Sequence, residues 1–217
     1  MKDIEYFHLF QSKNHRAARQ LKKGDSYLGY LKESENINTK EGNFTELEED
    51  LAMGKTDPEL FNYSMHEFFN TLQQGKDRAE CRRNIKNVLL AHCLRNPSIG
   101  YVQGINMLAA FLLCFLDEEG AFWLLTYIIE EILPKEFYSK TYKGIMLFGY
   151  YSECYAIKQS AIQCLELTSP SKIKSLHIFL DMILPSILLP LLIDTLNLEC
   201  LYYVWDNMIK NKDVNIE

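Results

Sequence analysis

The sequence predicts an all-α protein built as a single multi-helix domain. Apolar residues recur at helical spacing in several long segments, while the alternation typical of strands is weak. No internal repeat, low-complexity tract or Pro/Gly-rich linker divides the chain. We therefore expect one domain over residues 1–217, and a chain of 217 residues is long enough to bury a core without disulfides or metals.

Composition and charge exclude one class of partner. The chain is 47% hydrophobic, with 13 Tyr and 12 Phe, which is typical of a folded protein. Its formal charge of −6 argues against nucleic acid as the partner, because phosphate binding needs a basic surface. Two basic runs, 13–23 and 76–86, carry no stacking aromatic residues and are interpreted as solvated helix faces.

Cysteine usage and the apolar segments bear on compartment. None of the six cysteines forms a CxxC pair or a metal-ligand spacing with histidine, so we expect free thiols in the cytosol or at a cytosolic membrane face, and no metal. The first residues show no signal peptide. The segment 176–193 is nearly long enough to cross a membrane, but Asp181, Pro185 and Pro190 interrupt it, which favours a buried, broken helix.

A helix over 80–95 has the clearest amphipathic pattern. One face carries Ile85, Val88, Leu89, His92 and Cys93. Asn96–Pro97 ends it, because the residue before a proline disfavours the α region. Since His92 lies on the apolar stripe, it is interpreted as a packed, hydrogen-bonded core histidine instead of a ligand or a catalytic base.

The next helix is predicted to begin near Asn106, with Asn106 as its N-cap. It is apolar on nearly all sides and is therefore expected at the centre of the domain. After a break at 117–120, a further helix is expected over 121–133, ending before Pro134. The remaining predicted elements are a short helix over 45–53 within an acidic loop (33–58), a helix over 147–167, a turn at 169–172 and helices within 173–209.

The chain shows no enzyme active site of its own. The phosphate-loop motif GxxxxGK[ST], the dinucleotide motif GxGxxG, the hydrolase motif GxSxG and the zinc motif HExxH are all absent. The acidic run 46–50 is more simply a charged helix face than an acid–base pair. The most distinctive local feature is Gln103, an uncharged polar residue directly before a long apolar run. It is either an ordinary surface residue or a functional one.

Three blocks of sequence, in order, resemble the TBC domain, the family of Rab GTPase-activating proteins that act in vesicle trafficking. The first block is "GYVQGIN" (100–106), in which Gln103 matches the glutamine of the family's YxQG signature. The second is "AFWLLTYIIEEILPKEFYS" (121–139), and the third is "YYVWD" (202–206). The resemblance covers residues 45–206.

This resemblance implies a function for Gln103. GTP hydrolysis needs an in-line water and neutralisation of the charge that develops on the phosphates. Family members supply an arginine from an IxxDxxR motif and the YxQG glutamine in trans to a Rab-family GTPase. An amide can orient water because it both donates and accepts hydrogen bonds. GTP and Mg²⁺ belong to the partner, so no cofactor of this chain is expected, and membrane association is expected only through partners.

The resemblance also implies supporting residues and reveals departures. Asp50, Tyr101, Gly104 and Asn106 are the expected support of the glutamine. The run "LEEDLAM" (47–53) aligns with IxxDxxR, which puts Met53 at the arginine-finger position. Lys55 lies nearby, but an ammonium group does not reproduce the guanidinium fork. Loss of an arginine finger typically costs roughly a thousandfold in rate.

Two further departures concern the C-terminal end. Tyr203 stands where the family usually has arginine. The chain ends soon after Trp205–Asp206, so it is expected to lack some of the family's terminal helices.

The sequence therefore leaves three interpretations of function. The first is a Rab-directed activator that supplies Gln103 and is weak because of Met53. The second is a catalytically inactive TBC domain that acts as a Rab-binding or scaffold module, and the third is a purely structural helical protein. Trp123 and Trp205 are expected in the core. Tyr101 either packs in the bundle or contacts the GTPase, and Asp50 is expected to orient a neighbouring side chain.

Overall fold

The computed structural model describes residues 26–35, 47, 49–50, 78–138 and 185–211, and within these ranges it contains helices and turns but no strand. The helices are α1 (Tyr27–Ser34), α2 (Arg78–Arg95), α3 (Ile105–Leu113), α4 (Glu118–Tyr127), a π-helical turn (Ile128–Ile132) and α5 (Leu198–Asn211). The predicted all-α fold class is confirmed. The elements predicted at 147–167 and 169–172, the basic run 13–23 and Met53 lie outside the described residues.

Helix α2 is the central element and matches its prediction. It packs against α1, α3 and α4. All five residues of its predicted apolar face are buried, and the helix ends at Arg95, directly before Asn96–Pro97. The amide of Asn96 still donates to the carbonyl of His92, and a turn over 97–99 then leads the chain away. The apolar stripe and the proline together determine this helix and its end.

Helix α3 is almost entirely buried, as its composition predicts, but its N-cap lies two residues earlier than expected. The prediction that Asn106 is its N-cap is wrong: Gly104 is the N-cap, with φ of 104°, and Ile105 is the first helical residue. Asn106 lies in the first turn, and its Oδ1 accepts a hydrogen bond from Gly104 N at 2.9 Å. The positive φ of a glycine turns the chain into the helix before the asparagine is reached.

Helix α4 begins at Glu118, three residues before the predicted start at 121. The predicted start is wrong because Asp117 caps the helix: its Oδ1 accepts from Gly120 N at 2.8 Å. The first turn also carries Glu118 and Glu119, which the helix dipole favours there. The C-terminal end widens into the π-helical turn, and the extended conformation of Leu133 ends the element just before Pro134.

Residues 185–197 form a helical turn at 185–188 followed by consecutive turns up to helix α5. The predicted interruption near Pro190 is therefore confirmed in the described part of 176–193. Leu191 and Leu192 adopt left-handed conformations, with φ of 47° and 68°. Such conformations cost a residue with a side chain roughly 1–2 kcal/mol. None of the described helices is long and apolar enough to cross a membrane.

One hydrophobic core joins these elements, and a pair of packed aromatic rings lies at each of its two ends. Trp205 of α5 packs edge-on against Phe111 of α3, with ring centroids 5.0 Å apart. At the other end, Tyr27 of α1 lies 5.2 Å from Phe122 of α4. Trp123 and Trp205 are each 1% exposed, which confirms that both are core residues.

Candidate functional site

The loop between α2 and α3 (96–104) is a compact reversal of the chain. The amides of Ile99 and Gly100 both donate to the carbonyl of Asn96, at 3.0 and 2.8 Å. Gly100 and Gly104 have φ of 65° and 104°, conformations that residues with a side chain rarely adopt. The two glycines therefore let a short loop deliver Gln103 to the N-terminal end of α3.

Gln103 is the one exposed residue in the stretch 99–116, which the structure describes completely. Its neighbours Tyr101 and Val102 are 4% and 5% exposed. Among the described residues, none forms a hydrogen bond with the Gln103 amide. The backbone on both sides is thus held in the core, while the amide projects into solvent.

Asp50 and Tyr101 connect this loop to the segment that resembles the finger motif. The Tyr101 hydroxyl donates to Asp50 Oδ2 at 2.7 Å, and both side chains are buried. Leu47 is fully buried, and residues 47, 49 and 50 are helical, as the prediction of a short helix over 45–53 requires. Asp50 and Tyr101 thus lie together beside Gln103, whereas Met53 lies outside the described residues.

Gly104 lies in close contact with Leu189. A β-carbon placed on Gly104 would lie 2.8 Å from Leu189 Cβ and 2.9 Å from Leu189 C. No other residue type fits without displacing the Leu189 backbone. Gly104 also donates to Asn106, which is 2% exposed. Two of the expected supporting residues therefore contact each other, and the loop rests directly on residue 189.

Sequence reasoning missed the ion pair between Arg95 and Glu130. Arg95 Nε and Nη2 donate to Glu130 Oε1 and Oε2 at 2.7 and 3.0 Å. The side-chain amide of Asn96 donates to the same carboxylate at 3.0 Å. The guanidinium carbon lies 5.5 Å from the centroid of the Trp123 ring. The π-helical turn carries Glu130, so no helical spacing in the sequence could have indicated this pair. It fixes the start of the glutamine loop.

The arginines of the second basic run lie far from Gln103. Asn84 of α2 and Leu113 of α3 line the same groove, so the two helices run antiparallel and the glutamine loop lies at the C-terminal end of α2. Arg82 and Arg83 come 12–13 residues before that end, which is about 18–20 Å along the helix axis. They are poorly placed to act beside Gln103.

Titratable groups near the loop do not suggest acid–base chemistry. Burial lowers the pKa of His92 to about 4, so the imidazole is neutral. Its Nδ1 is 3.5 Å from the side-chain amide nitrogen of Asn96, and within the described part of the chain its Nε2 has no hydrogen-bond partner. His92 is packed as predicted, but this single long contact is less than the hydrogen bonding expected. Burial also raises the pKa of the Cys93 thiol to about 12, which makes it unreactive.

In the described ranges the domain is all-α, and the loop before α3 holds the exposed Gln103 amide on a buried support. Residues 9–216 match the family model described as the Rab-GTPase-TBC domain. The chain belongs to this family.

Relatives and a known structure agree with this assignment. TBC1 domain family member 2B of Homo sapiens is 38% identical over 111 residues, which is 49% of this chain and 11% of that protein. TBC1 domain family member 2A of Mus musculus is 59% identical over 58 residues, 26% of this chain and 6% of that protein. The matched segments thus span only a small share of these curated relatives. The crystal structure of the Chlamydomonas flagellar RabGAP TBC domain matches with a TM-score of 0.58 at 18% identity, over 96% of this chain and 62% of that one, and shows the shared fold.

Proposed function

We propose that this chain binds a Rab-family small GTPase and accelerates GTP hydrolysis by supplying Gln103 in trans. The observation that carries the proposal is the exposure of the Gln103 amide within a stretch that is otherwise buried or half-buried. An exposed glutamine on a flexible loop would need no explanation. A glutamine whose flanking backbone is fixed by Asp50, Tyr101 and residue 189 is positioned in advance for a partner.

The proposed role of Gln103 is to orient the attacking water. In phosphoryl transfer to water, catalysis is largely positioning and electrostatic stabilisation. The side-chain oxygen can accept a hydrogen bond from the attacking water while the NH₂ group donates to a neighbouring carbonyl, which holds the water in line. The nucleotide and its Mg²⁺ belong to the partner, and any recruitment to endomembranes is proposed to occur through that partner.

Met53 favours a second candidate function. At the arginine-finger position, methionine offers no positive charge to the developing phosphate charge. The chain would then bind a Rab as a scaffold or binding module and accelerate hydrolysis weakly or not at all. The two functions share the partner and differ in rate.

The test measures single-turnover GTP hydrolysis by each member of a panel of Rab proteins, at a saturating concentration of this chain. Binding of the chain to each Rab is measured in each nucleotide state of the Rab. Gln103→Ala is expected to abolish acceleration while changing the free energy of unfolding by less than about 0.5 kcal/mol, because the side chain is exposed. Ser98→Ala, another exposed position in the same loop, is the matched control and is expected to leave the rate unchanged.

Each outcome selects one interpretation. Unchanged acceleration by folded Gln103→Ala would reject the role of the glutamine. Binding that depends on the nucleotide, without acceleration, would support the binding module. Neither binding nor acceleration with any Rab would leave a purely structural protein.

A further inference from the structure

Residues 189–192, which we call the leucine turn, form the surface on which the glutamine loop rests. The contact is close: a β-carbon on Gly104 would be 2.8 Å from Leu189 Cβ and 3.0 Å from Leu189 O. Gly104 is adjacent to Gln103 in sequence and is the N-cap of α3. No free space therefore remains between Leu189 and Gly104, so a shift of the Leu189 backbone toward Gly104 moves the glutamine loop as well.

Two buried side chains from distant parts of the chain hold the leucine turn. The Tyr138 hydroxyl donates to Leu189 O at 2.6 Å, and Trp205 Nε1 donates to Leu191 O at 3.0 Å. Tyr138 and Trp205 are each 1% exposed. Neither can touch a partner protein, so any effect they have on hydrolysis is indirect, and their hydrogen bonds to the turn give a route to the glutamine loop.

The turn needs this support because its backbone is strained. Leu191 and Leu192 have φ of 47° and 68°, in the left-handed region that leucine disfavours. Such conformations persist only where the surrounding structure holds them. Loss of one donor leaves a buried carbonyl unsatisfied and removes part of what opposes relaxation.

We infer that Tyr138 and Trp205 are positioning residues for Gln103, acting through the leucine turn and Gly104. This inference rests on the proposed function, because it assigns their role in the hydrolysis that Gln103 would promote. Misplacement of a catalytic group by 1 Å can cost roughly a hundredfold in rate. We therefore expect Tyr138→Phe to lower the maximal hydrolysis rate about tenfold or more, with little change in the concentration of chain that half-saturates the Rab.

The matched control is Tyr27→Phe. Tyr27 is also buried, and its hydroxyl donates a 2.7 Å hydrogen bond, but the acceptor is Glu118, at the opposite end of α3 from the glutamine loop. Both variants lose one hydroxyl from a buried tyrosine. Tyr138→Phe is expected to speed hydrogen exchange of the Gly104 and Ile105 amides about tenfold, whereas Tyr27→Phe leaves these two amides unchanged.

A comparison of unfolding free energies separates positioning from loss of stability. Tyr138→Phe and Tyr27→Phe each lose one hydroxyl hydrogen bond of a buried tyrosine and are both expected to lower the free energy of unfolding, but only Tyr138→Phe is expected to lower the hydrolysis rate. Trp205→Phe keeps an aromatic ring in the core, loses the donor to Leu191, and is expected to behave as Tyr138→Phe does. All rates are compared in the Met53→Arg background if the unmodified chain is too slow.

The outcomes distinguish this inference from the proposed function. Unchanged exchange of Gly104 and Ile105 in folded Tyr138→Phe would overturn the inference whatever the rates. A rate lost in Gln103→Ala but kept in Tyr138→Phe would overturn the inference alone. No acceleration by the unmodified chain or Met53→Arg would overturn the proposed function, and the catalytic part of the inference with it.

Discussion

The Tyr101 hydroxyl donates a 2.7 Å hydrogen bond to Asp50, and both residues are buried. This contact joins the segment that resembles the finger motif to the loop that presents Gln103. The two parts of the proposed site are thus linked inside the protein, before any partner binds. The link predicts that a change at Tyr101 affects the stability of the domain as well as the loop.

Tyr101→Phe removes this hydrogen bond and keeps the ring. Because the acceptor is buried, we expect a loss of about 1–3 kcal/mol in the free energy of unfolding, measured with urea. Tyr203→Phe is the control, since Tyr203 is 73% exposed, and it is expected to cost less than about 0.5 kcal/mol. Equal losses in the two variants would contradict the importance of the buried contact.

Gly104→Ala tests the close approach to the leucine turn. Alanine would bring a β-carbon within 3.0 Å of backbone atoms of Leu189, at a φ that alanine disfavours. We expect a loss of about 2–3 kcal/mol or more in stability. Gly29→Ala, in helix α1, meets only ordinary contact at 3.7 Å and is expected to stabilise by about 0.5–1 kcal/mol. Thermal unfolding of both variants is the measurement, and a stable Gly104→Ala protein would reject the contact.

Burial of His92 predicts a pH dependence of stability. The pKa of His92 is lowered from 6.5 to about 4, chiefly by burial; the Glu130 charge opposes this shift and the Arg95 charge adds to it. Between these two pKa values, His92 binds more protons in the unfolded chain than in the folded protein. The free energy of unfolding therefore falls as the pH drops from about 6.5 to about 4. The stability lost over this pH range is about 3 kcal/mol, and below the folded pKa His92 causes no further loss.

His92→Leu isolates this contribution from the carboxyl groups that titrate in the same range. The unfolding free energy of the unmodified protein minus that of His92→Leu, measured with urea from pH 4 to pH 7, is expected to rise with pH by about 3 kcal/mol. A constant difference across this range would show that His92 titrates normally in the folded protein.

Met53→Arg would place a guanidinium at the position that the resemblance assigns to the arginine finger. If the segment matches the family motif, we expect hydrolysis by a bound Rab to rise by roughly tenfold or more, because the arginine can neutralise charge on the transferred phosphoryl group. Met53→Lys supplies the charge without the planar fork and is expected to gain less. No gain from Met53→Arg despite Rab binding would favour the binding module, and fast hydrolysis by the unmodified chain that survives Lys55→Ala would show that another arginine serves.

Residues whose environment depends on local pattern were predictable from the sequence. The face of α2 follows from helical periodicity, and its end follows from Pro97. The burial of α3 follows from its apolar run. The start of α4 was predicted too late because its capping residue, Asp117, was interpreted only as a break.

The contacts that position Gln103 could not be predicted, because they join residues far apart in the chain. Nothing in the sequence around Leu189 indicates that its carbonyl meets Tyr138, or that its backbone contacts Gly104. Helix α1 was also missed: it has only eight residues, one of them Gly29, and a helix this short is not stable alone, so its stability comes from packing against α2.

Hydrogen bonds across long sequence separations have a consequence for how the site forms. Asp50 and Tyr101, and likewise Tyr138 and Leu189, are each separated by 51 positions in the chain. Closing such loops costs chain entropy before the contact is gained, so these contacts are expected to form late in folding, after the helices. During synthesis, the segment that supports Gln103 emerges well after Gln103 itself. A folding intermediate that contains α2, α3 and α4 but lacks residues 185–211 would carry the glutamine without the surface that positions it.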